Sequence, residues 1–167
     1  MLLAAALHEC GHLALLAAFR VPVYGVTLGA FGAVIRAPAA RRLSYGRELL
    51  VTLAGPAVNL ILAPLVARGA AYLAWDWGYL FAGAHLLLGV YNLLPVAPLD
   101  GGRALYLLCA YCFGVDAGER VGAAVGLLTV LSLAALGAYL TLRFGAALFL
   151  LAAAGLLLEF LRAQRNT

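Results

Sequence analysis

The chain has 167 residues, 66% of them hydrophobic and 11% charged, against about 45–50% and about 25% in an average soluble domain. Its 11 basic residues, all Arg, outnumber 7 acids for a formal charge of +4. So little charge could not cover this much apolar side chain in water, and a disordered chain would need the opposite composition. This is the composition of an integral membrane protein. The Arg residues form no single basic face or block, so they fit membrane orientation rather than a nucleic-acid partner.

The length suits one domain with room for five or six helices of roughly 20 residues each. The first apolar segment covers about residues 1–19 and holds His, Glu and His in its middle. It lacks the charged n-region of an export signal and reads as a membrane helix. Residues 20–48 are the most polar third. Within them VPVYGVTLGAFGAVI, residues 21–35, is Gly- and Val-rich without a helical stripe, which predicts a short β-hairpin or re-entrant loop. A second apolar segment runs over about 49–67, interrupted at Gly55-Pro56. A polar stop follows at 68–78, with Asp76 between Trp75 and Trp77, an aromatic pair suited to a headgroup interface.

The third apolar segment starts near Tyr79 and ends near Leu94. The run from Pro95 to Gly102 breaks it, and helix resumes over 103–113, so 79–113 reads as one passage with a broken middle. Asp116, Glu119 and Arg120 mark a loop, and two further helices are predicted over about 121–141 and 144–161. The expected fold is an all-α polytopic membrane protein with about five transmembrane passages, one broken, and a small membrane-associated β-hairpin. On that topology, with Arg103 beside the break left uncounted, eight Arg fall on one side and two on the other. The positive-inside rule then makes the 20–48 loop, the 114–120 loop and the C-terminus cytoplasmic. Cys10, Cys109 and Cys112 read as small packing residues.

The chemistry is concentrated in His8-Glu9-Cys10-Gly11-His12, an HExxH on a helix. Residues i and i+4 share a face, so both imidazoles can reach one ion, with Glu9 beside them. Three ionisable groups within five residues of a membrane helix are costly unless they bind something or face a wet cavity. Two His leave a catalytic zinc one protein ligand short. The candidates are Asp100, His85, Asp76 and the acids of the last loops. Asp100 stands out because it follows Pro95 and Pro98 and precedes Gly101-Gly102. Broken backbone at membrane depth is tolerated only where it lines a cavity or is buried in protein. The plainer alternative is that Asp100 caps a helix starting at Gly101. His85 reads as an inward-facing polar group or as an alternative ligand, and Asn59 and Asn92 as helix-to-helix hydrogen bonds or as site residues.

HECGH at 8–12, GPAVN at 55–59 and NLLPVAPLDGG at 92–102, on three successive apolar segments, resemble the site-2 protease family of intramembrane zinc metalloproteases, in the bacterial branch around stage IV sporulation protein FB. The resemblance covers about residues 1–113. It implies one zinc per chain held by His8, His12 and Asp100, with Glu9 as the catalytic acid/base. It further implies that Asn92, Pro98 and Asn59 bind or position substrate, and that the 21–35 stretch holds substrate as an added strand. On this reading residues 1–113 are the catalytic core and 114–167 two accessory transmembrane helices. Only seven residues precede His8, where the branch carries a further membrane helix. No PDZ or CBS domain lies within these residues, so nucleotide sensing and a sporulation role are not carried over.

The function expected is cleavage of membrane-tethered proteins near the cytoplasmic side of a bacterial cell membrane. Substrates implied by the resemblance are a precursor sigma factor, an anti-sigma factor or a remnant signal peptide, with membrane regulatory partners alongside. The rival readings are a catalytically inactive scaffold and a metal-binding or transport protein, since transporters also build ion sites at broken helices. Glu9 discriminates between them, because binding alone does not need an acid between the two His whereas hydrolysis does.

Overall fold

The computed structural model describes residues 1–29, 32–36, 43–145 and 147–165. The chain divides into two compact units, Met1–Leu93 and Leu94–Thr167. The first contains α1 (Leu2–Ala18), β1 (Gly25–Gly29), β2 (Gly32–Arg36), α2 (Tyr45–Leu73) and α3 (Asp76–Asn92). The second contains α4 (Asp100–Phe113), α5 (Val115–Phe144) and α6 (Ala147–Arg165).

In the first unit α2 packs against both α1 and α3. Gly11 sets the α1–α2 approach, since a Cβ there would stand 2.6 Å from the Ala54 carbonyl oxygen. A larger residue would hold the two backbones apart. The α2 helix runs unbroken through Pro56 and Pro64, although each lacks an N–H and crowds the preceding turn. Neighbouring helices and local adjustment make such prolines tolerable in membrane helices. The interruption expected at Gly55-Pro56 is therefore absent. The helix ends at Ala74 in the left-handed region, φ 48°, where the Trp75 N–H donates to the Ala70 carbonyl at 2.9 Å.

The second unit is α4 packed on α5 and α5 on α6, around a core of Val96, Val130, Leu156 and Phe160. Leu94, Leu99, Leu133 and Leu157 pack against that core. Only Gly114 separates α4 from α5, so Asp116, Glu119 and Arg120 belong to the first turns of a 30-residue helix rather than to a loop. On α6, Arg162 pairs with Glu159 at 2.8 Å.

These elements correct the expected fold. Among the described residues two helices, α2 and α5, are long and apolar enough to cross a membrane, each with mean hydropathy 2.1 over its apolar window, and α1 is apolar but shorter. Only 28% and 17% of those two windows are buried, so neither is the wrapped core helix of a soluble protein. The run 79–113 is not one broken passage. It forms the separate helices α3 and α4, of 17 and 14 residues, about 26 and 21 Å at 1.5 Å per residue, short of a roughly 30 Å hydrocarbon layer. Five passages with a membrane-associated hairpin is therefore not the architecture, and the Arg count that rested on it loses its basis. Within 21–35 the ladder runs antiparallel from Gly25↔Arg36 to Gly29↔Gly32, with no membrane placement attached to it. Residues 30 and 31, also part of that expectation, lie outside the described residues.

Candidate metal centre

The first unit buries polar groups where a membrane protein would ordinarily bury Leu. Among the described residues His8, Thr52, Asn59 and His85 are its buried polar side chains, and Asn59 and His85 are fully inaccessible. Polar groups in such surroundings are expensive unless paired, and here His8, Asn59 and His85 are paired to one another.

His8 and His12 lie one turn apart on α1, with their Nε2 atoms 3.2 Å from each other and their rings edge-on at 4.9 Å between centroids. The outer nitrogen of each ring is held. His12 Nδ1 donates to the Val51 carbonyl oxygen at 2.7 Å, and His8 Nδ1 lies 3.1 Å from Asn59 Nδ2. Asn59 in turn places its Oδ1 3.0 Å from Nδ1 of His85 on α3. Three helices thus contribute to one polar string. The other nitrogen of His85, Nε2, is buried without a hydrogen-bond partner, and Phe81 stands edge-on to the ring at 4.6 Å.

Gly55 brings the α2 backbone against this pair of imidazoles. A Cβ at Gly55 would stand 2.7 Å from Nε2 of His8 and closer still to Nε2 of His12. Only a bare backbone lets α2 approach the two nitrogens this closely, since any side chain would press on both rings. This donor set fits zinc. Two imidazole nitrogens on a tetrahedral zinc, each at about 2.0–2.1 Å, lie about 3.3 Å apart, and ligating imidazoles characteristically anchor their second nitrogen on a carbonyl or side-chain partner. Glu9 is half-buried beside His8.

The structure therefore brings together His8, His12 and Asn59, and adds His85. Asn92 closes α3 and donates its Nδ2 to the Leu88 carbonyl at 3.0 Å, one turn back. Pro98 and Asp100 belong to the second unit. Pro98 is exposed and Asp100 half-buried. The α4 helix begins at Asp100 itself with Leu99 in the cap position, so Asp100 is not the cap residue of a helix starting at Gly101. Gly102 lets the preceding turn fold back on α4, since a Cβ there would meet the Val96 carbonyl carbon at 2.5 Å and the Ala97 nitrogen at 2.7 Å. Sequence reasoning missed the close approach of Gly55, the Val51 carbonyl and the Asn59–His85 contact. The first could have been sought in GPAVN, a small residue one position before a proline in a polar-lined helix.

No family model matches the chain. It is 38% identical over 149 residues to Rip3 of Mycobacterium tuberculosis, named as a candidate zinc metalloprotease, a match covering 82% of this chain and 37% of Rip3. It is 32% identical over 110 residues to stage IV sporulation protein FB of Bacillus subtilis, covering 65% of this chain and 38% of that protein. The chain thus spans well under half the length of these curated relatives. In fold it is similar to the solved site-2 protease from Methanocaldococcus jannaschii, with a TM-score of 0.73 and 22% identity over 96% of this chain and 74% of that one.

Proposed function

We propose that the chain belongs to the site-2 protease family and is the catalytic core of an intramembrane zinc endopeptidase, a reading supported by its similarity to Rip3 and to the solved site-2 protease. The observation that carries the reading is the facing pair of imidazole nitrogens at 3.2 Å, against which the bare Gly55 backbone packs closely. His8, His12 and Asp100 hold one zinc per chain, Asp100 supplying the carboxylate that completes a three-ligand set. Zinc, when bound there, polarises a peptide carbonyl and stabilises the negative charge that develops on its oxygen.

The remaining work falls to the chain. Glu9 adjoins His8 on α1 and takes the proton of the attacking water, then returns it to the leaving amine. Val51 and Asn59 hold the two imidazoles in orientation from behind. Asn92 and Pro98, on either side of the turn between α3 and α4, position the substrate backbone. Residues 1–113 form the core in this proposal and 114–167 accessory helices.

In this proposal the protein works within a membrane, in keeping with its two long apolar helices, and acts on membrane-tethered proteins. We place it in the bacterial cell membrane as a multi-pass protein with its C-terminus in the cytoplasm, supported by Arg162 and Arg165 near that end. A substrate helix has to unwind near the site to present an extended peptide. A precursor sigma factor, an anti-sigma factor or a remnant signal peptide are the proposed substrates. The test is cleavage of a tethered model substrate by the detergent-purified chain with and without a zinc chelator. Chelation should abolish cleavage and added zinc restore it; cleavage that survives chelation would refute the reading.

A further inference from the structure

The polar string in the first unit has a direction. The Val51 carbonyl can only accept, so His12 carries its proton on Nδ1 and presents a lone pair at Nε2. In the arrangement of the structure, Asn59 Nδ2 faces His8 Nδ1 at 3.1 Å. An amide nitrogen can only donate, so His8 accepts at Nδ1, carries its proton on Nε2 and donates it to His12 Nε2 at 3.2 Å. Asn59 Oδ1 can only accept, so His85 carries its proton on Nδ1. In these contacts the donors all point one way, from His85 through Asn59 and His8 to His12.

A cation at His8 Nε2 requires the reverse. Nε2 must offer its lone pair, so the His8 proton must sit on Nδ1, where it faces Asn59 and needs an acceptor. Turning the Asn59 amide by 180° supplies Oδ1 to His8 and swings Nδ2 towards His85. His85 Nδ1 must then accept, so its proton moves to Nε2. No net proton is gained or lost: one relocates within each ring, and the amide turns between them. A neutral imidazole can serve either way at the same nitrogen, which a hydroxyl-free apolar residue could not. The unpartnered Nε2 of His85 is the end of the string, where the relocated proton arrives.

We infer that Asn59 and His85 form a two-position relay that sets the tautomer of His8 and thereby its competence to hold the metal, with His85 a positioning residue that never touches it. This rests on the zinc reading above. In that role Asn59 is the partner that metal-ligating imidazoles require, and losing such partners costs about 10–100-fold in metal affinity.

The experiment is a zinc competition titration on the full chain purified in detergent, for wild type, Asn59→Leu, Asn59→Asp, His85→Phe, His85→Gln and the Asn59→Asp/His85→Phe pair, with folding checked by circular dichroism. Asn59→Leu should weaken zinc about 10–100-fold. His85→Phe should also weaken it, because the turned amide is left with a buried N–H and no acceptor, and His85→Gln should recover it. Asn59→Asp presents an acceptor to His8 in either orientation, so it should bind at least as well as wild type and should make the His85→Phe change almost without effect. That non-additivity separates a relay from packing. Equal losses from His85→Phe in both backgrounds, or no loss in the wild-type background, would overturn the relay while leaving the zinc site standing. A folded wild type without measurable zinc affinity would instead overturn the zinc reading, and the relay with it.

Discussion

Gly55 on α2 lies against His8 on α1 so closely that a Cβ would stand 2.7 Å from the imidazole Nε2. The glycine of the GPAVN run thus lets α2 close against the two facing imidazole nitrogens. Gly55→Ala should leave the helices formed, because alanine suits a helix better than glycine, yet push both imidazoles off their shared point. The expected result is a folded protein, by circular dichroism, whose zinc affinity falls at least tenfold. Wild-type affinity in this variant would show that zinc binding does not depend on this close approach.

Glu9→Gln separates chemistry from binding. Glutamine keeps the size of the side chain and removes its ability to take a proton. Zinc content should stay at the wild-type level, while cleavage of a tethered substrate falls by about 10²–10⁴-fold, the usual scale of general acid–base catalysis. Cleavage within a few-fold of wild type would remove Glu9 from its assigned role.

The turn before α4 offers a test from the second unit. Gly102→Ala would drive a methyl into the Val96–Ala97 backbone, at 2.5–2.7 Å before any relaxation. Overpacking of this kind costs about 1–3 kcal/mol, and the relief available is a shift of the turn that carries Asp100 into α4. Zinc retention under chelator challenge should drop and thermal stability should fall by a few degrees. A loss of stability with undiminished zinc retention would argue that Asp100 does not serve the metal.

What was legible in the sequence was whatever short spacing determines. HExxH at i and i+4 places His8 and His12 on one helix face, and the structure sets their nitrogens 3.2 Å apart. The break between Asn92 and Asp100 was visible in its prolines and glycines, and it separates α3 from α4. Passage counting failed where helix ends depend on packing. The Gly55-Pro56 pair looks like an interruption by local preference, but α1 lies against that stretch of α2 and the helix continues. Asp116, Glu119 and Arg120 look like a loop by polarity, but they suit the exposed start of a long helix, where an acid in the first turn complements the dipole. His85 was recognisable as inward-facing, but its partner sits 26 residues away on another helix, and no local pattern encodes that distance.

The most direct test of the central claim is zinc per chain in detergent-purified protein, wild type beside Asp100→Ala. The zinc-protease reading predicts about one zinc in the wild type and a sharp reduction in the variant, both proteins remaining folded. A folded wild type without zinc, or an Asp100→Ala protein that holds it as tightly as wild type, would contradict it.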